Sequence, residues 1–106
     1  MQILIVNFSL DGLSEEQFAS SADELAPAFA AVPGLNSKVW LADRAEGVYG
    51  GVYTFESEKA VDDYLQSDLW AGVGSTPGLV NISVRRFDVL DGPTRVTRGF
   101  TQPAGV

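Results

Sequence analysis

Residues 2–9, QILIVNFS, place apolar side chains on both faces of an extended chain. Ile3, Ile5 and Asn7 share one face; Leu4, Val6 and Phe8 share the other. A segment apolar at both parities predicts a strand covered on both sides. Leu10-Asp11-Gly12-Leu13 reads as a turn. Behind it, Ser14-Glu15-Glu16-Gln17 forms a capping box, in which the Ser14 hydroxyl accepts from the Gln17 N–H and the Gln17 side chain reaches back. Phe18, Ala22, Leu25, Phe29 and Val32 follow at steps of 4, 3, 4 and 3, one apolar stripe of a helix. Pro27 predicts a kink or an early end, and Pro33-Gly34 stops the helix.

The period then returns to two. Residues 35–43 form a second strand with Lys38, Trp40 and Ala42 on one face and Val39 and Leu41 on the other. Arg44-Ala45-Glu46-Gly47 is a hairpin loop. Residues 48–56 form a third strand, with Tyr49, Gly51, Tyr53 and Phe55 on one face. Ser57 caps a second helix whose stripe is Ala60, Val61, Tyr64 and Leu65. Ser67-Asp68 opens a further short turn carrying Leu69, Trp70 and Val73. Gly72, Gly74, Pro77 and Gly78 break the chain before a fourth strand over 79–90.

The order βαββαβ predicts an α+β, ferredoxin-like sandwich. It has an antiparallel sheet of order 4-1-3-2 with two helices on one face. The domain is expected over 1–90 and a C-terminal tail over 91–106, with Arg95, Arg98 and Phe100 as its anchors. Two helices cover only one face of such a sheet, yet strands one and three are apolar on both. A second copy packed sheet to sheet is the simplest cover, so a homodimer is expected.

Composition then removes chemistry. Among 106 residues there is no cysteine and no histidine. That excludes disulfides, thiolate nucleophiles, zinc–cysteine sites, a Ser-His-Asp triad and a histidine-ligated haem. Fourteen acidic against seven basic residues give a net charge of −7, which disfavours nucleic acid and anionic membranes. No apolar run approaches the roughly 20 residues of a membrane span. MQILIV lacks a basic segment and a small-residue cleavage site, so it reads as strand rather than signal peptide. A cytoplasmic location is expected.

Certain strings carry a resemblance. Lys38-Val39-Trp40 follows Pro33-Gly34-Leu35; Gly50-Gly51-Val52-Tyr53-Thr54-Phe55 precedes Ser57-Glu58-Lys59-Ala60; Phe87-Asp88-Val89 closes the fourth strand. Together they resemble the YdhR-type monooxygenase family of the dimeric α+β barrel superfamily, over residues 2–98. The resemblance implies a ferredoxin-like subunit, a barrel-like dimer and a pocket between helices and sheet. Relatives in that superfamily include cofactor-free, quinone-forming oxygenases, haem-degrading enzymes and lactone isomerases. The haem branch uses a histidine ligand, which is missing here. Where other YdhR-type chains can carry a histidine in the first strand, this one has Asn7.

Lys38 and Trp40 are the candidate catalytic residues. Trp40 would stack on a flat substrate and Lys38 would stabilise a phenolate or enolate; alternatively Trp40 is core and Lys38 snorkels at a sheet edge. Asn7, Tyr49, Tyr53, Phe55, Trp70 and Arg86 are candidate substrate-binding residues. Tyr49, Tyr53 and Phe55 form an aromatic row in which Gly50-Gly51 leaves space for a ligand or marks a bulge. Asn7 binds a ligand carbonyl or a neighbouring side chain. Trp70 roofs the pocket or anchors the core. Arg85 and Arg86 point to opposite faces, and the one at the pocket would hold an anion. No metal site and no cofactor is expected.

The favoured reading is a cofactor-independent monooxygenase of a small electron-rich aromatic, of phenol or hydroquinone type, using O₂. The alternative is a non-catalytic small-ligand-binding or dimerisation module of the same fold. A cofactor-free isomerase would need a proton shuttle, and no residue offers an evident general base, since a lysine or tyrosine would need a strongly lowered pKa.

Overall fold

Apolar alternation and cap chemistry shape the molecule as the pattern predicts. The structure, a computed structural model, describes residues 1–100. Its elements are β1 (Gln2–Leu10), α1 (Glu15–Ala30), β2 (Leu35–Asp43), β3 (Val48–Phe55), α2 (Glu58–Leu65), α3 (Asp68–Ser75), β4 (Leu79–Asp88) and α4 (Asp91–Val96). The four strands pair antiparallel in the order β2-β3-β1-β4, the 4-1-3-2 order of a ferredoxin-like sandwich, with helices packed on one face.

The parity of β1 assigns its faces. Leu4, Val6 and Phe8 are buried beneath the helices, with Tyr49, Tyr53 and Phe55 of β3 beside them. Phe29 of α1 and Ala60, Val61 and Tyr64 of α2 close this core. Ile3, Ile5 and Asn7 lie on the opposite face and are only half-buried. Val52, paired with Ile5 and Val39, lies at the centre of that face, which no helix covers. Val39 and Phe87 on it are exposed.

The capping box forms as expected: Gln17 N–H donates to Ser14 Oγ at 3.1 Å and Ser14 N–H to Gln17 Oε1 at 3.0 Å. Pro27 does not end α1, which runs on to Ala30. The proline has no N–H for the Asp23 carbonyl, but both residues are exposed, so water can take that place. The segment expected as a tail from residue 91 begins instead with α4. Asp91 in its first turn and Arg95 in its last complement the helix dipole. The Arg95 guanidinium lies 4.9 Å from the centre of the Phe100 ring. The remaining tail, residues 101–106, lies outside the described residues.

Candidate functional site

Between α1, α3 and the helix-covered face of the sheet lies a cavity of about 380 Å³. Its walls are mainly apolar: Phe8 of β1, Phe18, Leu25 and Phe29 of α1, Trp40 of β2 and Val73 of α3. Lys38 and Tyr53 meet at its floor through the β2–β3 ladder, which sets Lys38 opposite Tyr53 and Trp40 opposite Gly51. Gly51 offers no side chain there, and a Cβ on it would come within 2.9 Å of Lys38 Cε. The glycine therefore leaves the room in which the lysine lies.

Lys38 Nζ stands 3.4 Å from the centre of the Phe29 ring, 3.5 Å from that of Trp40 and 4.5 Å from that of Tyr53. Trp40 meets Phe29 edge-on, at 5.3 Å and 85°. Among the described residues Nζ has no hydrogen-bond or ion-pair partner. Among the described residues no fully buried side-chain nitrogen or oxygen lacks a partner, so Nζ is not fully enclosed; Lys38 borders this cavity and a neighbouring one lined by Asn36 and Ser37. Burial lowers the Lys38 pKa from 10.5 to about 7. Ring faces favour the ammonium, which opposes that shift, but they accept no full hydrogen bond and replace hydration incompletely. The site thus holds a group that changes charge near neutrality.

The tyrosines there do not share this property. Tyr53 and Tyr64 exchange a hydroxyl hydrogen bond of 3.0 Å. Burial pushes both pKa values up, so both stay protonated. Asp68 of α3 is the carboxylate on the cavity lining.

The structure thus brings Lys38, Trp40 and Tyr53 together and disperses the other candidates. Asn7 faces the uncovered side of the sheet, away from the cavity, because it shares its parity with Ile3 and Ile5. Tyr49 borders a second cavity of about 320 Å³, where its hydroxyl donates to Glu15 at 3.0 Å. Arg44 also binds Glu15, and the two hydrogen bonds hold that carboxyl below its usual range. Phe55 is fully buried in the core, stacked on Tyr53 with ring centres 6.0 Å apart. Trp70 packs on Tyr64 at 5.8 Å and does not border the cavity. Arg86 lies opposite Leu4, on the helix side, but its guanidinium pairs with Asp62 at 2.7 Å rather than entering the cavity. Arg85 takes the other face, 4.8 Å from the Phe87 ring.

Among the lining residues that the sequence did not mark as site candidates are Phe8, Phe18, Leu25, Phe29, Asp68 and Val73. The helical stripe had marked Phe18, Leu25 and Phe29 as apolar, but a stripe does not separate a packed core from a cavity wall. Leu25 shows the difference: it faces the cavity and is still 45% exposed.

Residues 3–100 match the model of the family described as putative mono-oxygenase ydhR. No curated protein matches the chain. Among solved structures, the haem-degrader MhuD from Mycobacterium tuberculosis, crystallised with two haems in its active site, is similar with a TM-score of 0.68. That match has 18% identity and covers 85% of this chain and 96% of that one. SnoaB, a cofactor-independent oxygenase from Streptomyces nogalater, gives 0.66 at 19% identity, over 84% and 93% of the two chains. NE2512, a protein of unknown function from Nitrosomonas europaea, gives 0.71 at 17% identity, over 98% and 95%. Identities this low establish a shared fold.

Proposed function

The chain belongs to the ydhR mono-oxygenase family, and from that premise we propose that it oxygenates a small, electron-rich aromatic of phenol or hydroquinone type without a cofactor. A mono-oxygenase-like function is what the family and the shared fold support. The finer reading rests on one observation, the unpaired Lys38 Nζ at the floor of an aromatic-walled cavity.

Ground-state O₂ is a triplet and reacts slowly with closed-shell molecules. A phenolate can give it one electron and recombine with the reduced oxygen at a ring carbon. Loss of the ring proton and cleavage of the O–O bond leave a quinone carbonyl, and the second oxygen departs as water. All electrons come from the substrate. In this reading the protein binds the ring, removes the phenol proton and shields the anion from water. Neutral Lys38 takes that proton and remains beside the phenolate as ammonium. Trp40 stacks on the ring at the cavity mouth, where it is 37% exposed. Asn7, Tyr49, Phe55, Trp70 and Arg86 have no part in this proposal, given their positions.

Haem, which the mycobacterial neighbour holds, does not suit this donor set. The chain has no histidine or cysteine, and the Tyr53 hydroxyl is engaged by Tyr64. No step is routed through it.

Oxygen uptake over a panel of hydroquinones and polyphenols tests the proposal. Wild type is expected to exceed the enzyme-free autoxidation rate, and Trp40→Ala to lower that excess at least tenfold. Uptake at background throughout the panel would overturn it and favour a ligand-binding module, for which a thermal-shift screen is the next measurement.

We further propose that a second copy covers the open face of the sheet. Ile3, Ile5, Val39, Leu41, Val52 and Phe87 share that face. Sedimentation is expected to show a dimer for wild type and a monomer for Val52→Glu, since a charge at the centre of this face would be buried unpaired. A wild-type monomer would refute the assembly.

A further inference from the structure

We propose that Lys38 also captures small apolar aldehydes and ketones covalently, as an imine, inside the cavity between α1, α3 and the sheet. This does not rest on the oxygenase reading, because imine formation consumes no oxygen.

The first support is the environment of Nζ. An amine tied to a carboxylate is neither neutral nor free to attack; Lys38 Nζ has no such partner among the described residues and is not fully enclosed, and Lys38 lines the cavity. The second is the wall. Phe8, Leu25, Trp40 and Val73 provide a surface for the hydrocarbon part of a carbonyl compound and limit the water that would hydrolyse an imine. The third is a contrast within the chain. Lys59 is the only other lysine. It is exposed on α2 and pairs with Asp63 at 2.8 Å.

Burial acts in the same direction. It brings Lys38 to about 7, whereas the hydrogen bond that Lys59 donates to Asp63 pushes Lys59 up from 10.5. At about pH 7.5 Lys38 is then far more often the neutral amine than Lys59. The titratable groups around Lys38 are few. Tyr53 of β3 faces it, with Tyr64 of α2 behind, and both remain neutral phenols. Asp68 of α3 lies on the cavity lining, and the α1 residues of that lining carry no charge.

The chemistry balances without an oxidant. The Lys38 lone pair forms a bond to the carbonyl carbon, and the carbonyl π pair moves to oxygen, which takes a proton. The nitrogen loses a proton to give the carbinolamine. Its lone pair then closes the C=N bond as the C–O bond breaks, the oxygen takes a second proton and leaves as one water, and the nitrogen loses its second proton to leave the imine.

The test is reductive trapping under nitrogen at pH 7.5, with 2-naphthaldehyde as the probe and cyanoborohydride as the hydride source. Peptide mass spectrometry locates the adducts and separates them from the terminal amine. Lys38 is expected to be modified at least tenfold faster than Lys59 in the folded protein, and at a similar rate in urea. Equal or slower labelling of Lys38 in the folded protein overturns the proposal. Lys38→Arg keeps a cation but is expected to lose the adduct. Lys59→Arg, a surface change, leaves Lys38 as the sole lysine and is expected to keep it; a Lys59→Arg protein without an adduct at Lys38 also overturns the proposal. Because oxygen is absent, a negative result here leaves the uptake experiment to be judged separately.

Discussion

Lys38→Met is expected to be more stable than wild type at pH 7 and to lose oxygen uptake, a gain and a loss from one change. Methionine keeps an unbranched chain and places a polarisable sulfur among the Phe29, Trp40 and Tyr53 rings. It removes a cation that burial disfavours. Nζ is not fully enclosed, and solvent screens part of that penalty, so the gain is expected at about 1–2 kcal/mol. The sign with pH follows from proton counting. The unfolded lysine holds its proton up to 10.5, while the native one releases it through about 7. Between these values the unfolded state binds more protons, so wild-type stability rises with pH across that window. The methionine variant lacks this rise. Its advantage is therefore largest below pH 7 and shrinks towards pH 10. Activity follows the neutral amine: wild-type uptake is expected to climb with pH through about 7, and Lys38→Met to lose at least about 10²-fold, the lower range for a general base. Urea unfolding at pH 6 and pH 9.5, beside uptake at both, checks these points. A variant less stable than wild type at pH 6 would show that the rings hold the ammonium more firmly than burial disfavours it.

Much of this arrangement is legible in the sequence, and the rest fails for identifiable reasons. A two-residue period places Lys38 with Trp40, and Tyr53 with Gly51, on common faces. It does not say how far along the strand a side chain meets a helix. Tyr49, Tyr53 and Phe55 share a face, yet one borders the second cavity, one lies at the cavity floor and one is core. That depth comes from the path of α1 across the sheet, which brings Phe29 beside Lys38 from residues nine apart in sequence. Parity also separates Asn7 from Leu4, Val6 and Phe8, but it does not reveal which face carries the helices. Arg85 and Arg86 show the same limit: adjacency predicts opposite faces, and only the β1–β4 register puts Arg86 opposite Leu4. The role proposed for Lys38 as base depends on three dimensions, because burial, not residue identity, lowers a lysine's pKa. The α4 helix was obscured by the glycine, proline and threonine around it.

The two adjacent glycines of β3 are expected to respond in opposite ways to alanine. Gly50→Ala should cost about 3 kcal/mol or more and leave little folded protein. Gly50 pairs with Asn7 on one side and Leu41 on the other, so its backbone is held between two strands. At its φ of +155° a Cβ would be driven into the Val6 carbonyl oxygen and within 3.0 Å of Asn7 Cα. Both obstacles are backbone of β1, and relief would require opening the β1–β3 ladder. At Gly51 the first obstacle is different: a Cβ would come within 2.9 Å of Lys38 Cε, the far end of a flexible side chain, with the Tyr53 ring edge at 3.3 Å and the Val39 carbonyl oxygen at 3.4 Å beside it. Lys38 can yield, so Gly51→Ala should stay within about 1 kcal/mol of wild type, typical of a change the structure can absorb. In yielding, the lysine leaves the Phe29 and Trp40 rings, and oxygen uptake is expected to fall about tenfold, a plausible scale for a misplaced catalytic group. Urea midpoints and uptake rates for both variants separate the cases. If Gly50→Ala were as stable as wild type, β1 and β3 would have to lie farther apart at this point than the structure places them. If Gly51→Ala were fully active, Lys38 would not need its place among the rings, and the basis for making it the base would be lost.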